Sequence, residues 1–436
     1  MRHWRVTAHC RTCQSPAVRS RRAYLLFATS RFDSPPMAVF LPNVFRNSTI
    51  RVSTLTIFAY GFAGAATSPY QSVIGIRELG LSNGLYSALI FAAAAVNVFV
   101  SVLVGNLADR LGEYRSMMLS VTLFGVLGYG VIYLLPAQTT FVLCILFMLP
   151  IYNALNSLLF ANVRAAAKGM PRHEVAAVNS AVRAAISLSW VLVPGITGAL
   201  LSHATSMLPA YLFACLACVA CLGLIAVFLP GQKGTDSHAG AHLSHLAALG
   251  EVLSPKIFAR LIAIALICST LHISGAVLPL IVTGAAHGTV TDIGVLVGIV
   301  AFLEVIFIVG WGRIQRSMSH VTALAIGTAI YVTYLALLGF ASAPWHVYAL
   351  TLVSGAGAAA LISIPITYLQ DLIAERPGLG SALISVNLFL SAGMSAVFFA
   401  LGTAISSYSG TALIGAGAGT LGMLLLLLLD GAKRRR

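Results

Sequence analysis

Charge is what this sequence has least of. Only 9 % of its 436 residues are Asp, Glu, Lys or Arg, whereas soluble globular chains carry about 25 %. Ordinary domain surfaces cannot be faced with so few water-binding groups. Disorder, which needs low hydrophobicity and high charge, is excluded on the same ground. Acid is scarcer still, with 12 Asp and Glu against 26 Lys and Arg, a net charge of +14. Seven cysteines, none well placed to pair, give no disulfide framework. The 39 glycines follow no three-residue period, which excludes a collagen-like rod. Apolar residues are abundant, at 58 % with a mean hydropathy of +0.92. A polytopic membrane protein is the class that remains.

A helix needs about 20 apolar residues to cross a hydrocarbon core of about 30 Å. Twelve such runs occur, over residues 53–76, 84–105, 116–135, 141–163, 178–202 and 208–229, then 257–283, 294–312, 321–340, 346–372, 378–405 and 411–429. The pattern predicts an all-α membrane protein of twelve transmembrane helices in two pseudo-symmetric six-helix bundles, residues 51–230 and 257–436. Residues 231–256 form a cytoplasmic linker, and residues 1–50 a basic N-terminal extension. Gly105 and Gly310 open the connections after spans 2 and 8 and stand 205 positions apart. The starts of spans 1 and 7 stand 204 apart, so the halves read as a duplication. Parallel six-span halves around a midplane site are a recurrent transporter plan.

The basic residues sort by side. If the spans simply alternate, 24 of the 26 lie on one face of the membrane, leaving Arg77 on the other and Arg183 inside span 5. This is the positive-inside bias, which puts both termini in the cytoplasm. The excess of base is therefore topology and not a nucleic-acid footprint. Met1–Pro36 is rich in Arg and lacks a signal-peptide apolar core. It reads as a transit peptide or as sequence upstream of a true start at Met37. The lone Cys10-Arg-Thr-Cys13 has no second pair. His238, His242 and His245 share helical spacing and read as one face of a linker helix. Cys215, Cys218 and Cys221 read as small packing residues of span 6. None of these groups calls for a metal, and no cofactor is expected.

The strongest local pattern is Gly105-Asn-Leu-Ala-Asp109-Arg110-Leu-Gly112-Glu-Tyr-Arg115. Two glycines bracket an acid and a base between apolar spans. Glycine permits close helix approach and a tight turn, and Asp109 can sit against a helix N-terminus. A contact of that kind forms in one arrangement of two halves and breaks in the other. The string resembles the loop 2–3 signature of the major facilitator superfamily, and every signature position matches. The resemblance implies that Asp109 and Arg110 latch the halves, with Gly105, Gly112 and Arg115 shaping the turn. Their partner would be the start of span 11 near Pro377–Ser381, beside Asp371. The equivalent loop after span 8 has Ile314 where Asp109 aligns, a degenerate copy.

A charge inside hydrocarbon costs at least about 3 kcal/mol, so one that persists is a functional candidate. Glu304 falls near the middle of span 8, and Arg183 lies in span 5. Desolvation favours the protonated form of a carboxylic acid. Glu304 is therefore the candidate for a coupled proton, with Arg183 as its counter-charge or as a substrate-oxygen donor. Tyr70, Gln71, Asn97, Tyr152, Asn153, Asn156, Trp190, His272 and Asn387 are the candidate substrate-binding groups. Amides with an aromatic platform suit a neutral polyhydroxyl ligand, whose hydroxyls need partners once desolvated. Taken singly, each Asn serves equally as interhelical glue.

Three stretches narrow the family: Gly61-Phe-Ala-Gly64-Ala-Ala-Thr-Ser-Pro69-Tyr-Gln-Ser72, Arg183-Ala-Ala-Ile-Ser187-Leu-Ser-Trp190-Val-Leu-Val-Pro194, and Tyr368-Leu-Gln370-Asp371-Leu with Gly380-Ser-Ala382. Each resembles the corresponding segment of the sugar efflux transporters, as does Ala-Phe-Leu-Glu304-Val in span 8. The resemblance implies a secondary active transporter in the cell inner membrane, working as a monomer. It would export sugars or glycosides by alternating access against an inward flow of protons. Drugs or amino-acid-like metabolites are the alternative cargo of such a fold. An enzyme would show a His/Asp/Glu constellation in a sizeable loop, and a receptor an appended soluble domain; neither stands out here.

Overall fold

Hydrocarbon offers no hydrogen-bond partners, so an apolar run that crosses it must satisfy its backbone within itself, as a helix does. The computed structural model describes residues 47–111, 113–230, 254–372 and 377–430, all within one compact unit, Phe40–Arg436. The Cys10/Cys13 pair, Met37, Gly112 and the linker histidines lie outside the described residues, as do the side chains of Asp109, Arg110 and Pro377–Ser381.

Helix α1 begins at Ser48–Thr67 and runs on through a 3₁₀ turn (Ser68–Tyr70), Gln71–Val73 and a π turn (Ile74–Glu78). It is followed by α2 (Asn83–Leu111), α3 (Tyr114–Leu134), α4 (Gln138–Ala166), α5 (Arg172–Leu200) and α6 (Pro209–Phe228). The second half comprises α7 (Pro255–Val282), α8 (Val290–Ile314), α9 (His320–Leu338), α10 (Pro344–Leu372), α11 (Pro377–Ile405) and α12 (Tyr408–Asp430). Among the described residues, eleven helices are long and apolar enough to cross a membrane by length and composition. The broken α1 brings the bundle to twelve. Large apolar side chains such as Leu134, Phe340 and Leu428 stand exposed on its outside, as a lipid-facing surface requires.

Caps explain several starts. Asn47 Oδ1 accepts the Thr49 N–H at 2.9 Å to open α1. At α8, Thr289 Oγ1 accepts the Asp292 N–H at 3.3 Å, while Asp292 Oδ2 accepts the Thr289 N–H at 2.7 Å. Two ends differ from the hydropathy reading. Helix α2 continues to Leu111, so Gly105 and Asp109 ride on its last turns and do not open the connection. Gly310 likewise lies within α8. Among the described residues, no atom outside the helix's own backbone stands within 4 Å of where a side chain on either glycine would begin, and an isolated helical glycine costs only about 1 kcal/mol. Helix α5 starts at Arg172, six residues before its apolar run, because its first turns are polar.

Packing carries the duplication. In the first half α1 packs on α5 and α6, α3 on α4 and α6, and α2 on α4. In the second, α7 packs on α11 and α12, α9 on α10 and α12, and α8 on α10. Adding six to every helix number converts one set into the other. The halves meet mainly along two seams, α5 on α8 and α2 on α11, with the broken part of α1 touching α7 and α8 besides, and each seam maps onto the other under the same exchange.

We call the end holding the loops with most of the bases the basic end, and its opposite the bare end. The α5–α8 seam is tight towards the bare end. Thr291 Oγ1 donates to the Gly198 carbonyl at 3.1 Å, and Tyr70 of α1 donates to the Pro194 carbonyl at 3.0 Å. A methyl on Gly298 would lie 2.7 Å from the Val191 carbonyl oxygen, and one on Gly294 would overlap the Pro194 carbonyl. On the second seam Tyr408 donates to Asn83 Oδ1 at 3.1 Å, and Tyr86 packs on Phe399 at 5.8 Å. Glycine at 294 and 298 is thus required by backbone approach. Gly294→Ala should cost about 1–3 kcal/mol, read as a lower unfolding midpoint in detergent. Gly310→Ala, with open space around it, should leave the midpoint unchanged or raise it by up to about 1 kcal/mol of stability; equal effects would refute the seam.

Candidate functional site

The seams enclose a central space of three lobes. The largest, about 500 Å³, lies in the first half. A second of about 430 Å³ surrounds Glu304 in the second half. A third of about 280 Å³ bridges the halves near the bare end. Trp190 walls both the first and second lobes. Ser68, Gln71 and Ile90 wall the first and third. The lobes therefore adjoin one another across shared walls.

The first lobe collects Gln71, Asn97, Tyr152, Asn153, Asn156 and Trp190 of the expected substrate groups. Asn97 Oδ1 and Asn156 Oδ1 are buried and have no hydrogen-bond partner among the described residues. A buried acceptor left unpaired costs about 1–3 kcal/mol, which a donor arriving from a ligand or water would recover. The glycines of the span 1 pattern make the space. A methyl on Gly61 would overlap Ser189 of α5, and one on Gly64 would meet Trp190 at 3.9 Å. A methyl on Gly125 would overlap the Tyr152 ring, so α3 gives that tyrosine its room. Tyr152 also packs tilted against Tyr60 at 5.3 Å and edge-on to Tyr129 at 5.8 Å.

Tyr60, Tyr129 and Tyr211 line this lobe as well, and the sequence reading missed them. For Tyr60 and Tyr129 the available signal was depth, because membrane tyrosines usually sit at the interfaces and these two fall well inside apolar runs, whereas Tyr211 stands near the start of its own. Two expected residues lie elsewhere. Tyr70 is fully buried under the α5–α8 seam with its hydroxyl on Pro194. Asn387 is buried within the second half and lines none of the three lobes. His272 lines the bridging lobe, its Nε2 3.3 Å from Ser391 Oγ.

Glu304 shares its lobe with Trp190, Tyr331, Tyr334, Ser274 and Ser354. The Ser274 and Tyr334 hydroxyls lie 3.1 Å apart. Among the described residues, Glu304 and His272 are the lobes' sole charged or basic side chains. Arg183 is exposed, lies seven residues before Trp190 on the same face of α5, and lines none of the lobes. Neither Glu304 nor Arg183 has an ion-pair partner among the described residues. Their heights correspond nonetheless. The seam sets Gly198 opposite Thr291, Pro194 opposite Gly294 and Val191 opposite Gly298. Continuing that antiparallel register brings Arg183 within about 3 Å of the level of Glu304, at 1.5 Å per residue.

The expected latch is described in part. Arg115 Nη2 donates to the Ala226 carbonyl at 2.7 Å and Nε to Ile225 at 3.4 Å. It thereby ties α3 to the end of α6 within its own half. Asp371 Oδ2 lies 3.2 Å from His320 Nε2, joining the end of α10 to the start of α9.

Residues 53–283 match the Major Facilitator Superfamily. The chain is 26 % identical over 337 residues to a putative sugar efflux transporter of Deinococcus radiodurans, covering 76 % of this chain and 85 % of that one. It is 24 % identical over 351 residues to sugar efflux transporter C of Escherichia coli, covering 78 % and 86 %. Among solved structures, the nucleoside transporter NupG superposes with a TM-score of 0.73 at 13 % identity, over 88 % of this chain and 99 % of that one. A peptide transporter of the POT family superposes with a TM-score of 0.71 at 12 % identity, over 89 % and 94 %. These two likenesses speak for the fold alone. With the family match spanning more than half its length, the chain belongs to the major facilitator superfamily and is a membrane transporter.

Proposed function

We propose that this protein exports sugars or glycosides by alternating access, driven by protons moving inward. The observation that carries the reading is the central space itself. Its larger lobe offers unpaired amide oxygens among tyrosines and a tryptophan, with no charged side chain in its wall. Hydroxyls of a neutral sugar can satisfy such acceptors, and the aromatic faces can pack on its C–H surfaces. The sugar efflux transporters at 24–26 % identity supply the same cargo by name.

Proton coupling rests on Glu304. A nearby positive charge compensates a carboxylate but not a carboxylic acid. Arg183, level with Glu304 across the α5–α8 seam, would draw towards the charged form and release the protonated one. A proton arriving at Glu304 would then alter how the halves attract each other.

The bases assign the basic end to the cytoplasm, both termini with it. With the bare-end seams tight and Arg183 exposed, this arrangement would be the one that opens to the cytoplasm and loads an exported solute. Closing the basic end would bring Asp109 and Arg110 against the start of α11.

Counterflow in proteoliposomes, with a panel of labelled sugars and unrelated drugs, tests the cargo. Sugars should exchange; drugs moving while no sugar does would overturn the assignment. Glu304→Gln should lower pH-driven transport at least about tenfold, a loss of about 1.4 kcal/mol of coupling, while exchange continues. Intact pH coupling would remove Glu304 from the mechanism. Asn156→Leu should leave the unfolding midpoint unchanged or raise it by up to about 1 kcal/mol of stability, because it deletes an unpaired buried polar group. Sugar binding by the same variant should weaken at least about tenfold. A reporter fused after Ser206 should read as non-cytoplasmic, and the opposite result would invert the topology.

A further inference from the structure

Arg77 is the single base that the charge pattern leaves at the bare end. It sits in the last turn of α1, and its guanidinium reaches into the other half. Nη1 donates to Thr283 Oγ1 at 2.6 Å and to the Thr283 carbonyl at 3.2 Å. Nη2 donates to the Leu280 carbonyl at 2.9 Å. These acceptors belong to the end of α7, where carbonyls lack helical partners and the helix dipole is negative. A guanidinium presents donors in a rigid planar fork, so one side chain can hold both carbonyls together.

Two neighbouring residues complete the device. Glu78 accepts the Met207 N–H and the Ser206 hydroxyl, both at 2.6 Å. That fixes the end of α1 to the approach of α6 inside its own half, so Arg77 projects from an anchored base. On the other side Gly284 makes the space. A methyl there would lie 2.8 Å from Arg77 Nη2 and 2.7 Å from the Leu280 carbonyl oxygen, so any side chain would obstruct the guanidinium. Helix α1 also changes pitch twice on the way from the cavity to Arg77. A 3₁₀ turn at Ser68–Tyr70 adjoins cavity residues Ser68 and Gln71. A π turn at Ile74–Glu78 closes with the Leu79 N–H on the Ile74 carbonyl at 2.9 Å. Such turns interrupt the regular i to i−4 ladder and are places where a helix can bend.

We propose that Arg77 is the hook that holds the bare end shut, a positioning residue that sets the balance between the transporter's two openings. The proposal rests on the alternating-access reading and is independent of which solute is carried. The partner of the hook is the C-terminal turn of α7, engaged by three hydrogen bonds and released as a unit when the halves rock.

The test is a distance measurement between nitroxide labels on His203→Cys and Ser406→Cys, which are exposed at the bare end in opposite halves. It is made on ligand-free protein, so it does not depend on sugar transport. Gly298→Leu serves as a wedge that forces the α5–α8 seam apart. Arg77→Ala should raise the ratio of open to shut bare ends at least about tenfold, and Gly284→Ala should do the same. The double variant should match either single one, since both remove one contact; independent effects would multiply. Arg77→Lys, which keeps the charge and loses the fork, should fall between and serves if Arg77→Ala does not fold. If the wedge opens the bare end and neither Arg77 variant does, the hook is overturned while alternating access stands. If the Arg77 and Gly284 effects multiply, the shared contact is overturned. If even the wedge opens nothing, the alternating-access reading fails and takes the proposal with it.

Discussion

A polar group buried in hydrocarbon has no water to turn to, and this one constraint orders the whole molecule. Backbone groups meet it by forming helices, so regular helix fills the described spans and irregular turns sit near their ends or inside the bundle. Side chains meet it by facing inward. Asn162 donates to Ser53 Oγ at 3.1 Å between α4 and α1, glue of the ordinary kind. Threonines such as Thr54 and Thr328 return their hydroxyls to the preceding helical turn. What stays unpaired then stands out. Asn97 and Asn156, with nothing on their acceptor oxygens, border the central space. The same cost that removed charge from the sequence concentrates chemistry between the halves.

Packing between helices follows from the same scarcity. Lipid tails are as apolar as leucine, so apolar burial alone gives two helices little reason to prefer each other. Close backbone approach at small residues supplies the preference instead, with polar ties where they can be afforded. The α5–α8 seam does this with Gly198, Gly294 and Gly298, capped by Thr291 and Tyr70. Elsewhere Arg260 and Asp430 pair at 2.6 Å near the basic end, with the Tyr368 hydroxyl on the same carboxylate. That pair joins α7, α10 and α12 within one half.

Much of this was legible beforehand. Twelve spans, duplicated halves and the split of charge follow from run length and from where Lys and Arg fall, and the family match spans residues 53–283. Gln71, Asn97, Tyr152, Asn153, Asn156 and Trp190 were chosen for their polarity within apolar runs, and the fold brings all six to one lobe. Tyr70 met the same criterion yet lies under the seam, because a hydroxyl beside Pro194 can be satisfied by a carbonyl and needs no ligand. Polarity in a span tells that a partner is needed, not which partner. Helix ends were legible only loosely. Hydropathy stops where residues become polar, whereas α2 and α5 extend past the apolar run on hydrogen bonds their polar turns still make. The two pitch changes in α1 carry no compositional mark beyond Pro69 and Gly75.

The close seam also has a mechanical side. From Val191, where α5 touches Gly298, to the start of the helix at Arg172 is nineteen residues, about 28 Å at 1.5 Å each. A half-bundle that pivots where its α5 is gripped is a lever. A tilt of about 10° at the seam would carry its far end through about 5 Å, by that length. Sub-ångström adjustments among three glycines and two carbonyls thus become a displacement comparable to the width of a sugar ring.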